Sequence, residues 1–85
     1  MVISRPDSKT ISAYPNPSIG YTYIIHPSEP DKGYIRIYNG QGLLLNQVRT
    51  TGGKTRIDLT NLVKGTYHVV YDSPASYSTI NIIKQ

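Results

Sequence analysis

"TRIDLTNLVKGTYHVVYD", residues 55–72, alternates, turns a corner and alternates again. Ile57 and Leu59 are separated by polar Arg56, Asp58 and Thr60, the period of two that puts apolar side chains on one face of a strand. "TNLVKG" (60–65) breaks the pattern with a short corner that mixes polar and apolar residues. Beyond it, Thr66 to Asp72 alternates again, with Tyr67, Val69 and Tyr71 sharing a face. Two strands joined by a corner account for the whole stretch.

A tyrosine just inside a strand after such a corner resembles the tyrosine corner of Greek-key sandwiches, whose hydroxyl bonds back to the corner's backbone. The same alternation extends outward in both directions. Upstream, "YIRIYNGQGLLLNQV" (34–48) places Ile35 and Ile37 inward and Tyr34, Arg36 and Tyr38 on the other face. Asn39-Gly40 predicts a hairpin, since both residues tolerate the positive φ of a type I′ turn, with Gln41-Gly42 lengthening the loop and Leu43 to Val48 returning. Earlier still, Ile11 to Tyr14 is a short strand ended by Pro15 and Pro17, which hold Tyr14 and Asn16 extended. After Gly20, Tyr21 to His26 puts Tyr21, Tyr23 and Ile25 on one face and Thr22, Ile24 and His26 on the other. Downstream, Tyr77 to Lys84 is a last strand in which Ile80 and Ile82 oppose Ile83. "HPSEPDKG", "RTTGGKT" and "SPAS" are the remaining loops and turns. The count of about seven strands, with no helical period, predicts an all-β fold: an immunoglobulin-like, fibronectin III-like antiparallel β-sandwich. Residues 1–12 read as a linker or lead-in and 13–85 as the sandwich.

The chain has 85 residues, enough for one small core, and no cysteine to reinforce it. Eight tyrosines stand where phenylalanine and tryptophan are absent. Tyr34 and Tyr38 in particular are candidates for stacking on sugar rings, while the inward tyrosines serve the core. The net charge of +4 is dispersed, without the clustered stripe expected of a nucleic-acid binder. No apolar run approaches the length that spans a bilayer as a helix. "MVISRPDSKT" lacks the long apolar segment of a secretory signal, so an exported protein would carry its address on a longer parent chain or in the domain itself.

Reactive chemistry is sparse. His26 and His68 are far apart in sequence and read as solvent-facing side chains; no cofactor or metal set has recognisable spacing. There is no G-x-S-x-G nucleophile motif, and "GGKT" (52–55) lacks the upstream glycine and the following helix of a phosphate loop. The expectation is a protein without catalytic activity.

Three ordered stretches carry a resemblance: "YPNPSIG" (14–20), "IRIYNGQGLLL" (35–45) and "IDLTNLVKGTYHVVY" (57–71), followed by the closing "INIIKQ". Together they resemble the type A C-terminal sorting domain of the type IX, or Por, secretion system. Pro15, Asn16, Pro17 and Gly20 match that family's proline-turn motif, Gly42 its central glycine, Leu62, Gly65 and Tyr67 its L..G.Y corner, and Lys84 its terminal basic residue. Two features depart from the family pattern: "DSPASYST" lacks the usual glycine, and the last strand has a single lysine. The resemblance implies a non-catalytic address that directs a parent protein from the periplasm across the outer membrane, to the cell surface or the medium. Its implied partners are an outer-membrane translocon and a sortase-like cysteine peptidase, which cuts upstream of Ala13 and joins the cargo to anionic lipopolysaccharide. The edge of the last strand, Ile80, Ile82, Ile83 and Lys84, is the candidate docking surface, compatible with a monomer or a weak edge-strand dimer. Two other readings stand beside this one: a carbohydrate- or lipopolysaccharide-binding sandwich contacting its ligand through Tyr34 and Tyr38, and a fibronectin III-like spacer.

Overall fold

The alternating Ile, Val and Tyr positions close into two facing sheets. The computed structural model describes residues 11–27, 33–50, 52–74 and 77–85, and among these there are seven strands and no helix. They are β1 (Ser12–Tyr14), β2 (Tyr21–Ile25), β3 (Tyr34–Tyr38), β4 (Leu44–Arg49), β5 (Lys54–Asp58), β6 (Gly65–Asp72) and β7 (Tyr77–Lys84). Most of the lead-in, the centre of the "HPSEPDKG" loop, Thr51 of "RTTGGKT" and part of "SPAS" lie outside the described residues.

One sheet has the order β1-β2-β5 and the other β4-β3-β6-β7, with every strand pairing antiparallel. The core lies between them. Ile24, Ile57 and Leu59 meet Ile35, Ile37, Val69 and Ile82, all at most 1% exposed. Each such side chain contributes about 1.5–3 kcal/mol by leaving water. Tyr67 and Tyr71 fill the space that phenylalanine or tryptophan would take, and Tyr71 is therefore removed from any exposed aromatic surface.

Two expectations are corrected. His26 does not face solvent; it is 6% exposed and stacks on Tyr71, with ring centroids 5.2 Å apart and planes at 19°. Strand parity places it on the inward face with Thr22 and Ile24, and burial is tolerated because both ring nitrogens are satisfied. Nδ1–H donates to the Pro27 carbonyl (3.0 Å), leaving Nε2 to accept from the Thr55 hydroxyl (2.7 Å).

The β3–β4 hairpin is not a two-residue type I′ turn on Asn39-Gly40. The positive φ falls on Gly42 (84°), whose N–H donates to the Asn39 carbonyl. The Asn39 side-chain oxygen accepts from the Gln41 and Leu43 amides (2.9 and 3.0 Å), so asparagine acts here through its carboxamide and not through a left-handed backbone. The register then moves from Ile37↔Asn46 to Tyr38↔Leu44, leaving Leu45 as a bulged extra residue.

Neighbouring positions on β7 test this packing. Ile82→Ala should lose about 2–5 kcal/mol in urea unfolding, because it opens a cavity between the sheets. Ile83→Ala, whose side chain points to solvent, should stay within about 0.5 kcal/mol.

Candidate functional site

The proline-turn and corner residues that carry the family resemblance meet at one end of the sandwich, around the last strand, whereas Gly42 shapes the β3–β4 hairpin. Pro15 and Pro17, each preceded by a cis peptide bond, carry the chain away from β1, which belongs to the three-stranded sheet. By Ser18 the chain has reached the free side of β7, in the other sheet, and forms a parallel bridge with Lys84. Ser18 donates its N–H to the Ile83 carbonyl (2.9 Å) and accepts from the Gln85 N–H (2.8 Å). Asn16 extends this pairing with its side chain: Oδ1 accepts from the Ile83 N–H (2.9 Å) and Nδ2 donates to the Asn81 carbonyl (3.2 Å). A side-chain amide here reproduces the donor and acceptor of a backbone unit between two prolines that have no N–H to give. The knuckle is fixed from below by the Thr22 hydroxyl, which donates to the Pro15 carbonyl (2.8 Å), and by the buried Ser18 hydroxyl, which donates to the Tyr21 carbonyl.

The corner is joined to the same end. The Gly20 carbonyl accepts from the Leu59 N–H (2.8 Å), and the Leu59 carbonyl accepts from the Leu62 N–H (3.0 Å). Lys84 Nζ in turn donates to the Leu62 carbonyl (3.0 Å). The Tyr67 hydroxyl donates back to the Val63 carbonyl, the tyrosine-corner bond expected from the sequence. Gly65, paired with Lys84, has φ of 151°, which side chains rarely adopt. Asp58 closes the β5 end of the corner. Its carboxyl lies below the usual aspartate range because the Thr60 hydroxyl and then the Thr60 N–H donate to it, with Arg56 adding attraction.

An open cleft of about 430 Å³ separates this corner from the β3–β4 hairpin that Gly42 shapes. Leu45, Leu62, Val63 and Tyr67 contribute its apolar walls.

The four candidate docking residues have different surroundings. Ile82 is in the core, and Ile80 is half-buried against it. Lys84 is tied to the corner; Ile83 is 43% exposed. Because the N–H and carbonyl of Ile83 point away from β6, those of Asn81, Thr79 and Tyr77 do so too. Asn16 and Ser18 thus cover the edge from the Asn81 carbonyl onward. Among the described residues, nothing pairs with the outward backbone groups of Tyr77 and Thr79.

Tyr34 and Tyr38 are half-buried on the outer face of the four-stranded sheet. Arg36 and Arg49 each lie 5.9 Å from the Tyr34 ring centre. Arg36 also pairs with Asp72 (3.0 Å), which raises its pKa, and donates to Gln47 (2.8 Å). Ser18, Thr22 and Asn81 escaped the sequence reading. The signal for Thr22 was present in its parity with Ile24, whereas nothing local marks Ser18 or Asn81 as partners of a segment more than sixty residues away.

A family profile described as a secretion system C-terminal sorting domain matches residues 12–85. No curated protein gives a significant match. The chain belongs to the family of type IX secretion C-terminal sorting domains. Membership implies engagement with the type IX system and export toward the outer membrane, the cell surface or the extracellular space.

Asn16→Ala should expose the Ile83 amide without disturbing Ile82, which faces β6. Hydrogen exchange at Ile83 should quicken by about tenfold or more while Ile82 stays protected. Asp58 generates a pH prediction. A carboxyl whose pKa is depressed by folding contributes stability above its unfolded pKa and loses it as pH falls through the folded value. Asp58→Asn should therefore flatten the acid limb of the stability–pH curve, measured by thermal melting between neutral and strongly acid pH.

Proposed function

We propose that residues 13–85 act as a non-catalytic address label with a fibronectin III-like, immunoglobulin-type sandwich fold, joined to a cargo through the lead-in. In this reading the parent reaches the periplasm by its own signal and presents the label to an outer-membrane translocon. A sortase-like cysteine peptidase then cuts upstream of Ala13, and the cargo is joined to anionic lipopolysaccharide or released. Ile11 belongs to the core and β1 begins at Ser12, so a cut that leaves the sandwich whole falls before residue 11.

The observation that carries this reading is that the proline-turn and corner residues of the family's motif meet at the last strand. They hydrogen-bond along one half of its edge, while at the other half, which β1 flanks, the outward backbone groups of Tyr77 and Thr79 have no partner among the described residues. We assign the open half, at Tyr77 and Thr79, as the place where a translocon component adds a strand. The Leu45–Val63 cleft lies near the opposite, Lys84 end of the strand and would serve as a side-chain pocket for the same partner.

The test fuses residues 1–85 to a signal peptide and a fluorescent reporter in a host with a working type IX system. Reporter should appear outside the cell only when the translocon is present; periplasmic retention in both strains rejects the assignment. Thr79→Pro removes an outward N–H, a substitution that edge strands accommodate. It should leave the melting temperature nearly unchanged and abolish most export. Ile82→Pro, by contrast, should unfold the domain, since it breaks the ladder to β6 beside the core.

A further inference from the structure

The outer face of the three-stranded sheet takes no part in the clamp on the last strand. Its registers align Tyr14 with Tyr23 and Arg56 in one row across β1, β2 and β5. Ser12, Ile25 and Lys54 form the next row, while Tyr21 faces Asp58 on the other side. Tyr14 is 73% exposed, and Tyr21 and Ile25 are also open to solvent. Lys54 Nζ lies 4.8 Å above the Tyr23 ring, and Arg56 lies 4.7 Å above that of Tyr21; the two rings meet edge to face at 5.6 Å. Strand spacing and rise make this a platform of roughly 10 by 13 Å, the footprint of a disaccharide.

Ring faces hold both cations, and neither forms an ion pair with an acid among the described residues. Among the described residues the one ion pair is Arg36–Asp72, on the opposite sheet. Asp58 is the carboxylate of this face, and it already accepts two hydrogen bonds from Thr60. Asp58 attracts Arg56 without pairing with it, so Arg56 and Lys54 are both left to meet an external anion, with guanidinium and ammonium positioned by stacking. By contrast, on the Tyr34 face Arg36 is bound to Asp72 and Gln47, and His68 Nδ1 lies 2.6 Å from the Asn81 carboxamide oxygen.

We propose that this platform binds an acidic polysaccharide, with Arg56 and Lys54 on its carboxylate or sulfate groups and the open ring of Tyr14 against a pyranose. Successive bare rings, as base stacking in single-stranded nucleic acid requires, are not on offer, because cations cover two of the three. Ile25 is the single aliphatic side chain of the face, too little to insert into a bilayer.

The experiment is affinity electrophoresis of the 85-residue chain through gels containing polygalacturonate, heparin or neutral dextran, with flotation on anionic phosphatidylglycerol vesicles beside it. Both acidic polymers should retard the protein, and dextran and vesicles should not. Lys54→Gln with Arg56→Gln should weaken binding by about tenfold or more, as expected for two lost charge-assisted contacts. Tyr14→Ala should weaken it severalfold. Arg49→Gln with Lys64→Gln removes the same charge elsewhere and should change it by less than about twofold. Unchanged melting temperatures would exclude unfolding as the cause of any loss. Absence of retardation, equal losses from the two double variants, or binding to vesicles alone would each overturn the proposal.

Discussion

The structure depends on one requirement: the chain has to leave the edge of one sheet and finish the edge of the other. Strand edges left bare invite pairing with any extended chain, and small sandwiches must cover or break them. Here the covering segment is the knuckle between β1 and β2. Asn16 and Ser18 supply four hydrogen bonds to Asn81, Ile83 and Gln85, joining the start of the domain to its end. Two prolines flank Asn16 and contribute no amide that would need its own partner. Once the last strand is held, β6 is sandwiched between β3 and β7, and the corner leading into β6 can be secured by Tyr67 and Lys84.

Much of this was legible in the sequence. The period-two placement of Ile35, Ile37, Ile57, Leu59, Tyr67 and Val69 gave the strands and their inward faces, because sheet burial leaves a direct imprint on alternation. The tyrosine corner was legible for a different reason: its bond spans four residues and is local in sequence. What could not be read was non-local. Sheet order and the bridge from Ser18 to Lys84 depend on contacts between opposite ends of the chain, and no local preference encodes them. Polarity alone would set His26 outside, but its parity with Thr22 and Ile24 puts it inside, and parity prevails. Asn39-Gly40 and Gln41-Gly42 offer overlapping turn signals, and the carboxamide of Asn39 selects the second.

The core that results includes hydroxyl and imidazole groups. Thr22, His26, Thr55 and Ser18 are buried alongside Tyr67 and Tyr71. Each such group is acceptable only in the arrangement that meets its hydrogen bonds, so a strand slipped by one residue would bury them unsatisfied as well as exposing isoleucine. In a chain without cysteine, this polar discrimination among registers does part of the work that disulfides do in other small domains.

The division of the β7 edge has a consequence for kinetics. A flexible tail that folds onto its receptor loses conformational entropy at the moment of binding, and that loss is subtracted from its affinity. Tyr77 and Thr79 belong to a strand already straightened by its neighbours on one side and by the knuckle further along. An incoming segment would meet a template in its final shape, so the ordering cost would fall on the newcomer alone. Residence time would then be set by how well that newcomer zips, residue by residue, toward the point where Asn16 stops it.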